Sequence, residues 1–314
     1  MSNLTLLCRN ATTFTVTKEL DEEAFRRFLQ RFVDAKLGIY LASGGSGEGH
    51  ALSRDELRRV YKTGVEVGKG KVPVNANPPE QHTAQLTIEH AKLAIEAGVE
   101  VVNVYGPASL HGYRPTDAEF MAYFEEVFGA IKHPVAVAPN PVIGYTPNPA
   151  LIAEICDRFS QVVAVNLSGL GDAYFIDLKD TMKRDVSIYV PVPGSLHTLA
   201  LGAAGLLNPE ANIIPKTFRR YIDLYERGDF DALGQVYADI QRFNRHVGKW
   251  HGGSPRWLKM AMRVLKLPGG EGGVRAPYLI PPDDEVQRFT DGLLRLRLPE
   301  IDELARAAGL HLPA

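Results

Sequence analysis

The chain has 314 residues, of which 45% are hydrophobic and 23% charged, and its formal net charge at pH 7 is −2. These values are ordinary for a globular protein and exclude a chain dominated by disorder. A slightly acidic chain has no basic field to place on phosphates, so nucleic acid is not an expected partner.

Nothing in the sequence predicts export or a membrane. The N-terminus lacks a basic segment followed by a long apolar run, so it does not resemble a signal peptide. No apolar run approaches the roughly 20 residues that span a bilayer. The two cysteines, Cys8 and Cys156, are too few for a disulfide framework and are predicted to be buried. We therefore expect a cytoplasmic protein.

Short β-branched runs alternate with amphipathic segments from the N-terminus to about residue 214. Their apolar residues do not alternate with polar ones, which is typical of strands buried on both faces of a parallel sheet. The predicted strands lie near Leu4–Leu7 and at Gly38–Ala42, Val72–Asn75, Val99–Val104, Pro134–Ala138, Val162–Asn166, Ser187–Pro191 and Gly205–Leu207.

The segments between these runs carry helix start and stop signals. An apolar stripe with helical spacing follows Asp21, for example, and predicts an amphipathic helix there. The capping signals are Asp21, Ser53 with Glu56, Thr116 with Glu119, Asn148 before Pro149, and Gly98 as a helix end.

Eight strand–helix units predict a closed (β/α)8 TIM barrel over residues 1–214. Residues 215–314 show no further strand pattern and are predicted to form a C-terminal helical extension packed on the barrel. A doubly wound sheet is the alternative, but no dinucleotide fingerprint follows the first strand. The predicted helices of the extension are Phe218–Glu226, Phe230–Val247, Pro255–Leu265 and Asp284–Leu298.

Barrel enzymes carry their chemistry on the loops that follow the strands, so polar and glycine residues at those positions are the candidates. The glycine-rich loop over residues 44–49 offers backbone amides suited to an anion, and Gly45, Ser46 and Gly47 are its predicted binding residues. His197 is a candidate for moving protons because its ordinary pKa is near neutrality, although a lone histidine is more often structural. The other predicted binding residues are Asn103, Asn140, Ser168, Gly194, Asn208 and Glu210.

No metal or cofactor is expected. The sequence has neither an H-E-x-x-H motif nor cysteines and histidines at metal-ligand spacing. The glycine-rich loop also lacks the Lys-Ser/Thr pair of a nucleotide P-loop. The strand-end residues therefore predict a pocket for a small molecule.

Several motifs resemble those of the dihydrodipicolinate synthase / N-acetylneuraminate lyase family of class I aldolases. Residues 11–14 are similar to the family's A-T-P-F, and residues 44–48 are similar to its G-T-T-G-E. Residues 202–215 resemble its G-A-D-G…N-x-x-P block, and Arg275-Ala276-Pro277 resembles its R-P-P. The resemblance implies a small carbonyl or carboxylate substrate and a homodimer or homotetramer.

The resemblance also implies a strand-6 lysine that forms a Schiff base with a 2-oxo acid, and here the chain departs from the family. Asn166 falls at the lysine, and Pro139-Asn140 falls on the pair that supplies the proton-shuttling tyrosine. Gly45 stands at the threonine that relays protons, whereas Ser46 matches the threonine that holds the substrate carboxylate. An amide cannot form an imine, so Schiff-base chemistry at Asn166 is excluded.

We therefore predict an aldolase-type lyase, or a hydratase, that acts without a lysine Schiff base. Asn166 would donate a hydrogen bond to a developing oxyanion. His197, Tyr145 or Tyr113 would move protons.

Two alternatives stay open. One is a catalytically inactive barrel that binds a small molecule or a protein, although buried polar strand ends carry a desolvation cost that favours a ligand. The other keeps the Schiff base on a relocated lysine. Lys71 and Lys216 are the candidates for this, but Lys71 precedes its strand and Lys216 opens a helix.

Overall fold

The computed structural model describes residues 4–250 and 255–313. Its centre is a closed barrel of eight parallel strands that pair in chain order, with the last strand hydrogen-bonded to the first. The predicted (β/α)8 TIM barrel with a C-terminal helical extension is confirmed. The strands are β1 (Thr5–Arg9), β2 (Gly38–Leu41), β3 (Val74–Ala76), β4 (Val101–Tyr105), β5 (Val135–Ala138), β6 (Val162–Asn166), β7 (Ser187–Val190) and β8 (Gly205–Asn208).

The strand sequences explain why the barrel forms. Strands β2 and β5 are buried at every position, so their apolar side chains leave water on both faces of the sheet. Inside the barrel, Leu7, Tyr40 and Leu207 form a small buried cluster. Strand β3 begins at Val74, later than predicted, because Pro73 has no N–H to give to the strand pairing.

Helices alternate with the strands and continue beyond the barrel. Each strand is followed by one α-helix, so α8, which was predicted to lie in the extension, is by order the eighth barrel helix. The division of the chain at residue 214 stays a prediction. The α-helices in the described ranges are α1 (Glu22–Asp34), α2 (Arg54–Gly68), α3 (Ala84–Ala97), α4 (Asp117–Ala130), α5 (Pro149–Arg158), α6 (Asp172–Thr181), α7 (Ser195–Ala200), α8 (Pro215–Arg227), α9 (Phe230–Gly248), α10 (Pro255–Val264), α11 (Asp283–Leu294) and α12 (Pro299–Ala307).

The helix signals in the sequence are confirmed. Helices α2 and α4 begin with complete capping boxes, in which the cap hydroxyl and the glutamate carboxylate each accept a backbone N–H. The carboxylate of Asp21 caps α1, the amide oxygen of Asn148 caps α5, and Gly98 ends α3 in the left-handed conformation. Local chemistry therefore sets these boundaries.

One prediction in the extension is wrong. The sequence predicted a single helix over Asp284–Leu298, but α11 ends at Leu294 and a separate helix, α12, begins at Pro299. Arg297 between them has a φ of 51°, which a continuing helix does not allow. Pro299 then favours a new first turn, where a missing N–H costs nothing.

Burial agrees with the sequence patterns. Cys8 and Cys156 are both buried and unpaired, as predicted. Among the described helices, none combines the length and apolar character needed to cross a membrane.

Candidate active site

A cavity of about 320 Å³ lies at the C-terminal mouth of the barrel. The barrel contributes the ends or following loops of all its strands except β7, and helices α9 and α10 cover the cavity from the extension. None of the residues that line it in the described ranges is a lysine. The lining consists of Arg9, Ser43, Gly44, Gly45, Ser46, Asn77, Glu80, Tyr105, Asn140, Val142, Ser168, Pro209, Glu210, Asn244, Val247, Gly248 and Trp257.

Several of the predicted binding residues meet in this lining, although they lie far apart in the sequence. They are Gly45, Ser46, Asn140, Ser168 and Glu210. Asn140 also caps the turn after β5, where its Oδ1 accepts the Val142 N–H at 3.0 Å. The strand ends therefore converge as the barrel fold requires.

Hydrogen bonds to Ser43 and Thr12 fix the glycine-rich loop that follows β2. The Gly47 N–H donates to Ser43 Oγ at 3.2 Å, and Thr12 Oγ1 donates to the Gly47 carbonyl at 2.7 Å. Gly47 therefore braces the loop. Within the described part of the chain, the amides of residues 44–46 donate no hydrogen bond, which leaves them free for a ligand.

The carboxylate of Glu80 lies beside this loop. A Cβ atom placed on Gly44 would lie only 3.0 Å from Glu80 Oε2, so the Glu80 carboxylate lies close to the loop backbone. Burial, reinforced by the charge of Glu80, raises the pKa of Tyr105 to about 12. The Tyr105 hydroxyl accepts a hydrogen bond from Asn77 Nδ2 at 3.1 Å. Tyr105 is thus a neutral phenol in the cavity wall near neutral pH.

A cation and a carboxyl group reach the cavity from neighbouring strands. Arg9 ends β1, and Glu210 follows β8, which pairs with β1. Glu210 Oε2 is buried with no hydrogen-bond partner in the described ranges. Burial raises the pKa of the Glu210 carboxyl group, and the positive charge of Arg9 offsets part of this effect.

Asn166 ends β6 and joins three strands across the barrel interior. Its Nδ2 donates to Asn103 Oδ1 at 2.8 Å and to the Tyr40 hydroxyl. Both N–H bonds of the amide are therefore used, so the predicted donation to an oxyanion requires one of them to break. Asn166 Oδ1 is buried without a partner among the described residues.

Other buried asparagines on the strands and at their ends each have one side-chain atom with no partner in the described part of the chain. Buried polar groups of this kind carry a cost of about 1–3 kcal/mol unless water or a ligand satisfies them. The strand ends therefore carry buried polar groups suited to hydrogen bonds with water or a ligand, above the interior cluster of Leu7, Tyr40 and Leu207. The atoms are Asn10 Nδ2, Asn75 Oδ1, Asn77 Oδ1, Asn103 Nδ2 and Asn208 Nδ2.

The residues predicted to move protons lie outside the cavity lining. The side chain of His197 is 77% exposed, and its Nδ1 lies 3.2 Å from a carboxylate oxygen of Asp172. The Tyr145 hydroxyl donates to the Pro107 carbonyl at 2.8 Å. Tyr113 is 62% exposed. The positions of these three residues give no support to their predicted roles.

Two further predicted residues make structural contacts. Gly194, before α7, has a φ of 80°, and a Cβ there would lie 3.0 Å from Asp172 Oδ1. Asn208 Oδ1 accepts the Val192 N–H at 2.9 Å and so ties the end of β8 to the loop after β7. Neither residue is part of the lining.

A buried ion pair beneath the glycine-rich loop was missed by the sequence analysis. Lys259 Nζ on α10 lies 3.1 Å from Glu48 Oε1, and both side chains are fully buried. Lys259 also donates to the carbonyls of Thr12 and Gly273 and lies over the Phe14 ring. The pair connects the loop to the extension. A charged residue in an amphipathic helix is usually exposed, so the sequence did not predict the burial of Lys259.

A closed barrel with a polar cavity at its C-terminal mouth defines a TIM-barrel protein with a small-molecule site. Within the described ranges, no three histidine, cysteine, aspartate or glutamate side chains lie close enough to hold a metal ion. A sequence profile of the dihydrodipicolinate synthetase family matches residues 4–293, and the chain belongs to that family.

Curated relatives match the chain over most of its length at low identity. The 4-hydroxy-tetrahydrodipicolinate synthase of Hyphomonas neptunium is 26% identical over 286 residues, which cover 88% of this chain and 92% of that protein. The synthase of the same name from Xanthomonas axonopodis pv. citri is 27% identical over 252 residues, covering 76% and 78%.

Solved structures share the fold. A putative dihydrodipicolinate synthetase from Pseudomonas aeruginosa has a TM-score of 0.83 at 23% identity, over 94% of this chain and 99% of that chain. A prophage protein of the dihydrodipicolinic acid synthase family from E. coli K12, solved in complex with pyruvate, has a TM-score of 0.83 at 20% identity, with the same coverage of both chains.

Proposed function

We propose that the protein is an aldolase-type lyase that acts on a small carbonyl or carboxylate compound without a lysine imine. The observation that carries the proposal is the cavity lining, which is polar, includes a cation and contains no lysine among the described residues. Imine formation needs an amine within bonding distance of the substrate carbonyl. The residue at the end of β6 is the buried amide Asn166.

Lys259 is a buried lysine beneath the glycine-rich loop, so its ability to form an imine must also be assessed. Burial lowers its pKa, which favours a nucleophilic amine. Its ammonium group, however, is committed to Glu48 and to the carbonyls of Thr12 and Gly273. Two hydrogen bonds and the ion pair hold the ammonium group, and Lys259 is not among the residues that line the cavity, so in this proposal it supports the loop and does not attack a carbonyl.

In this proposal the substrate lies between the glycine-rich loop and the strand ends opposite. Ser46 and the free amides of residues 44–46 contact it from the loop, and Asn140 and Ser168 contact it from β5 and β6. Asn166 shapes the floor through Tyr40. We further infer that the enzyme works in the cytoplasm as a homodimer or homotetramer, as the family resemblance implies.

Borohydride reduction with pyruvate tests the proposal, because borohydride traps a lysine imine as a stable adduct. Intact-protein and peptide mass spectrometry is expected to find no pyruvyl adduct on any lysine of the folded protein. A relative that has the strand-6 lysine, treated in parallel, is the positive control. An adduct would contradict the proposal, and its peptide would identify the lysine.

A further inference from the structure

Arg9 lies on the inner face of the barrel at its mouth. Successive side chains of a strand point to opposite faces, so Arg9 lies on the same face as Leu7, which packs inside the barrel with Tyr40 and Leu207. It is one layer nearer the mouth than Leu7 and lines the cavity. Its side chain forms no hydrogen bond or ion pair within the described ranges. A guanidinium group placed in this way is suited to a carboxylate ligand.

The surroundings favour Arg9 over the glycine-rich loop as the place for a carboxylate. The loop has free amides, but the Glu80 carboxylate lies against it at Gly44. A second carboxylate at the loop would meet this negative charge at short range. The positive charge of Arg9, in contrast, acts on Tyr40, Tyr105 and Glu210.

Glu210 is a carboxyl group that lines the cavity together with Arg9 and feels its positive charge. It lines the cavity two residues beyond Asn208, which pairs with Cys8, the residue before Arg9. Oε2 of Glu210 is buried without a partner among the described residues. The two charged groups do not form an ion pair with each other, so a ligand can lie between them.

We propose that Arg9 binds the carboxylate of the substrate and that Glu210 takes a proton from the carbon next to the substrate carbonyl. The electron pair of the broken C–H bond forms the enolate double bond, and the carbonyl π electrons move to the oxygen. Glu210 holds the proton and returns it, so no oxidant or second substrate is needed. The proposal rests on the proposed function for the class of substrate.

The binding half is tested by titrating the fluorescence of Trp257, which lines the cavity, with pyruvate and with its neutral amide, pyruvamide. Arg9→Gln is expected to weaken pyruvate binding by about tenfold or more and to leave pyruvamide binding nearly unchanged. Arg9→Lys should recover part of the affinity. Arg26→Gln, which removes an exposed arginine of α1, is the matched control.

The proton-transfer half is tested by following, by proton NMR in D2O, the exchange of the pyruvate methyl hydrogens. Glu210→Gln is expected to slow the protein-dependent exchange by about a hundredfold or more while pyruvate still binds. Glu66→Gln, which changes an exposed glutamate, is the control and should exchange like the wild type. The wild-type exchange rate should rise with pH as Glu210 ionises.

Every outcome decides one half of the proposal. Equal pyruvate affinity in the wild type and Arg9→Gln, or no binding of pyruvate at millimolar concentration, overturns the assignment of Arg9. Wild-type exchange in Glu210→Gln, or no exchange in a wild type that binds pyruvate, overturns the assignment of Glu210. A lysine adduct after borohydride overturns the imine-free function instead, and the Arg9 titration distinguishes that result from a failure of this proposal.

Discussion

Asn166 is a single side chain that connects three strands of the barrel. Through its Nδ2 group it links β6 to Asn103 on β4 and to Tyr40 on β2. A lysine at this position would place an ammonium group where Asn166 now donates to two buried oxygens. The surrounding amides and phenols form a hydrogen-bonded set that suits a neutral side chain, so Asn166 fits its neighbours.

Glu56 provides a pH prediction at the residue scale. Its carboxylate pairs with both terminal nitrogens of Arg275, and this contact lowers the pKa of Glu56 from 4.5 to about 2. The pair therefore stabilises the fold above the unfolded pKa, and the contribution is lost as pH falls from about 4.5 to about 2. Glu56→Gln keeps the capping geometry and should cost about 2 kcal/mol at neutral pH.

Urea unfolding of the wild type and Glu56→Gln across this pH range checks the prediction. The difference between the two should shrink as the solution is acidified, because protonated Glu56 resembles glutamine. Glu66→Gln, at an exposed ion pair with Arg26, should show a much smaller difference. A Glu56→Gln penalty that is independent of pH would contradict the account.

At the residue scale, the place of a residue at the end of a strand was easier to predict than the direction of its side chain. Ser46 and Glu210 were predicted as site residues because they follow strands, and both line the cavity. Arg9 had a signal that was not used, because a charged residue two positions after an inward leucine points inward as well. His197 also follows a strand, but α7 carries its side chain into solvent, and no sequence pattern separates these cases.

At the scale of elements, helix α10 and the glycine-rich loop depend on each other. Lys259→Met leaves Glu48 buried without its partner and should destabilise the protein by about 3–5 kcal/mol. Thermal and urea unfolding measure this loss. Lys266→Met, at an exposed residue between the buried Leu265 and Leu267, should change stability by no more than about 0.5 kcal/mol.

The double variant Lys259→Met with Glu48→Gln tests whether the loss comes from the stranded charge. It should recover a large part of the stability, because neither residue then leaves a buried ion. Equal stability of Lys259→Met and the wild type would show that the pair does not support the loop.

The elements themselves were largely predictable because their signals are local. Capping boxes at Ser53 and Thr116 and the apolar strand runs depend only on neighbouring residues, and all of them appear in the structure. The break between α11 and α12 was missed because Arg297 takes a left-handed conformation that its side chain does not signal. In this conformation its side chain pairs with Asp302 and donates to the Pro313 carbonyl.

At the scale of the whole molecule, the extension is part of the site. Asn244, Val247 and Gly248 on α9 and Trp257 on α10 close a cavity whose walls come from the barrel. The sequence predicted that the extension packs on the barrel, but not which of its residues line the cavity, because that depends on side chains that lie far apart along the chain.

The exposed apolar surface at the mouth of β4 and β5 leads to a prediction about assembly. Leu110, Tyr113 and Val142 are each more than half exposed, and the Ser109 N–H joins their two loops through the Ile143 carbonyl at 2.7 Å. We expect this surface to be covered by a second copy of the chain. Light scattering after gel filtration should give at least twice the mass of the chain.

Leu110→Asp should shift the assembly towards the monomer. Val16→Asp, at a more exposed residue elsewhere on the barrel, should not. A wild type that elutes as a monomer at micromolar concentration would contradict the predicted assembly.

The most direct test of an imine-free site is a crystal structure of the protein soaked with pyruvate. We expect pyruvate in the cavity at the barrel mouth, with its carboxylate on Arg9, its methyl group towards Glu210 and no covalent bond to the protein. Continuous density from the Nζ atom of any lysine to the carbonyl carbon of pyruvate would contradict it.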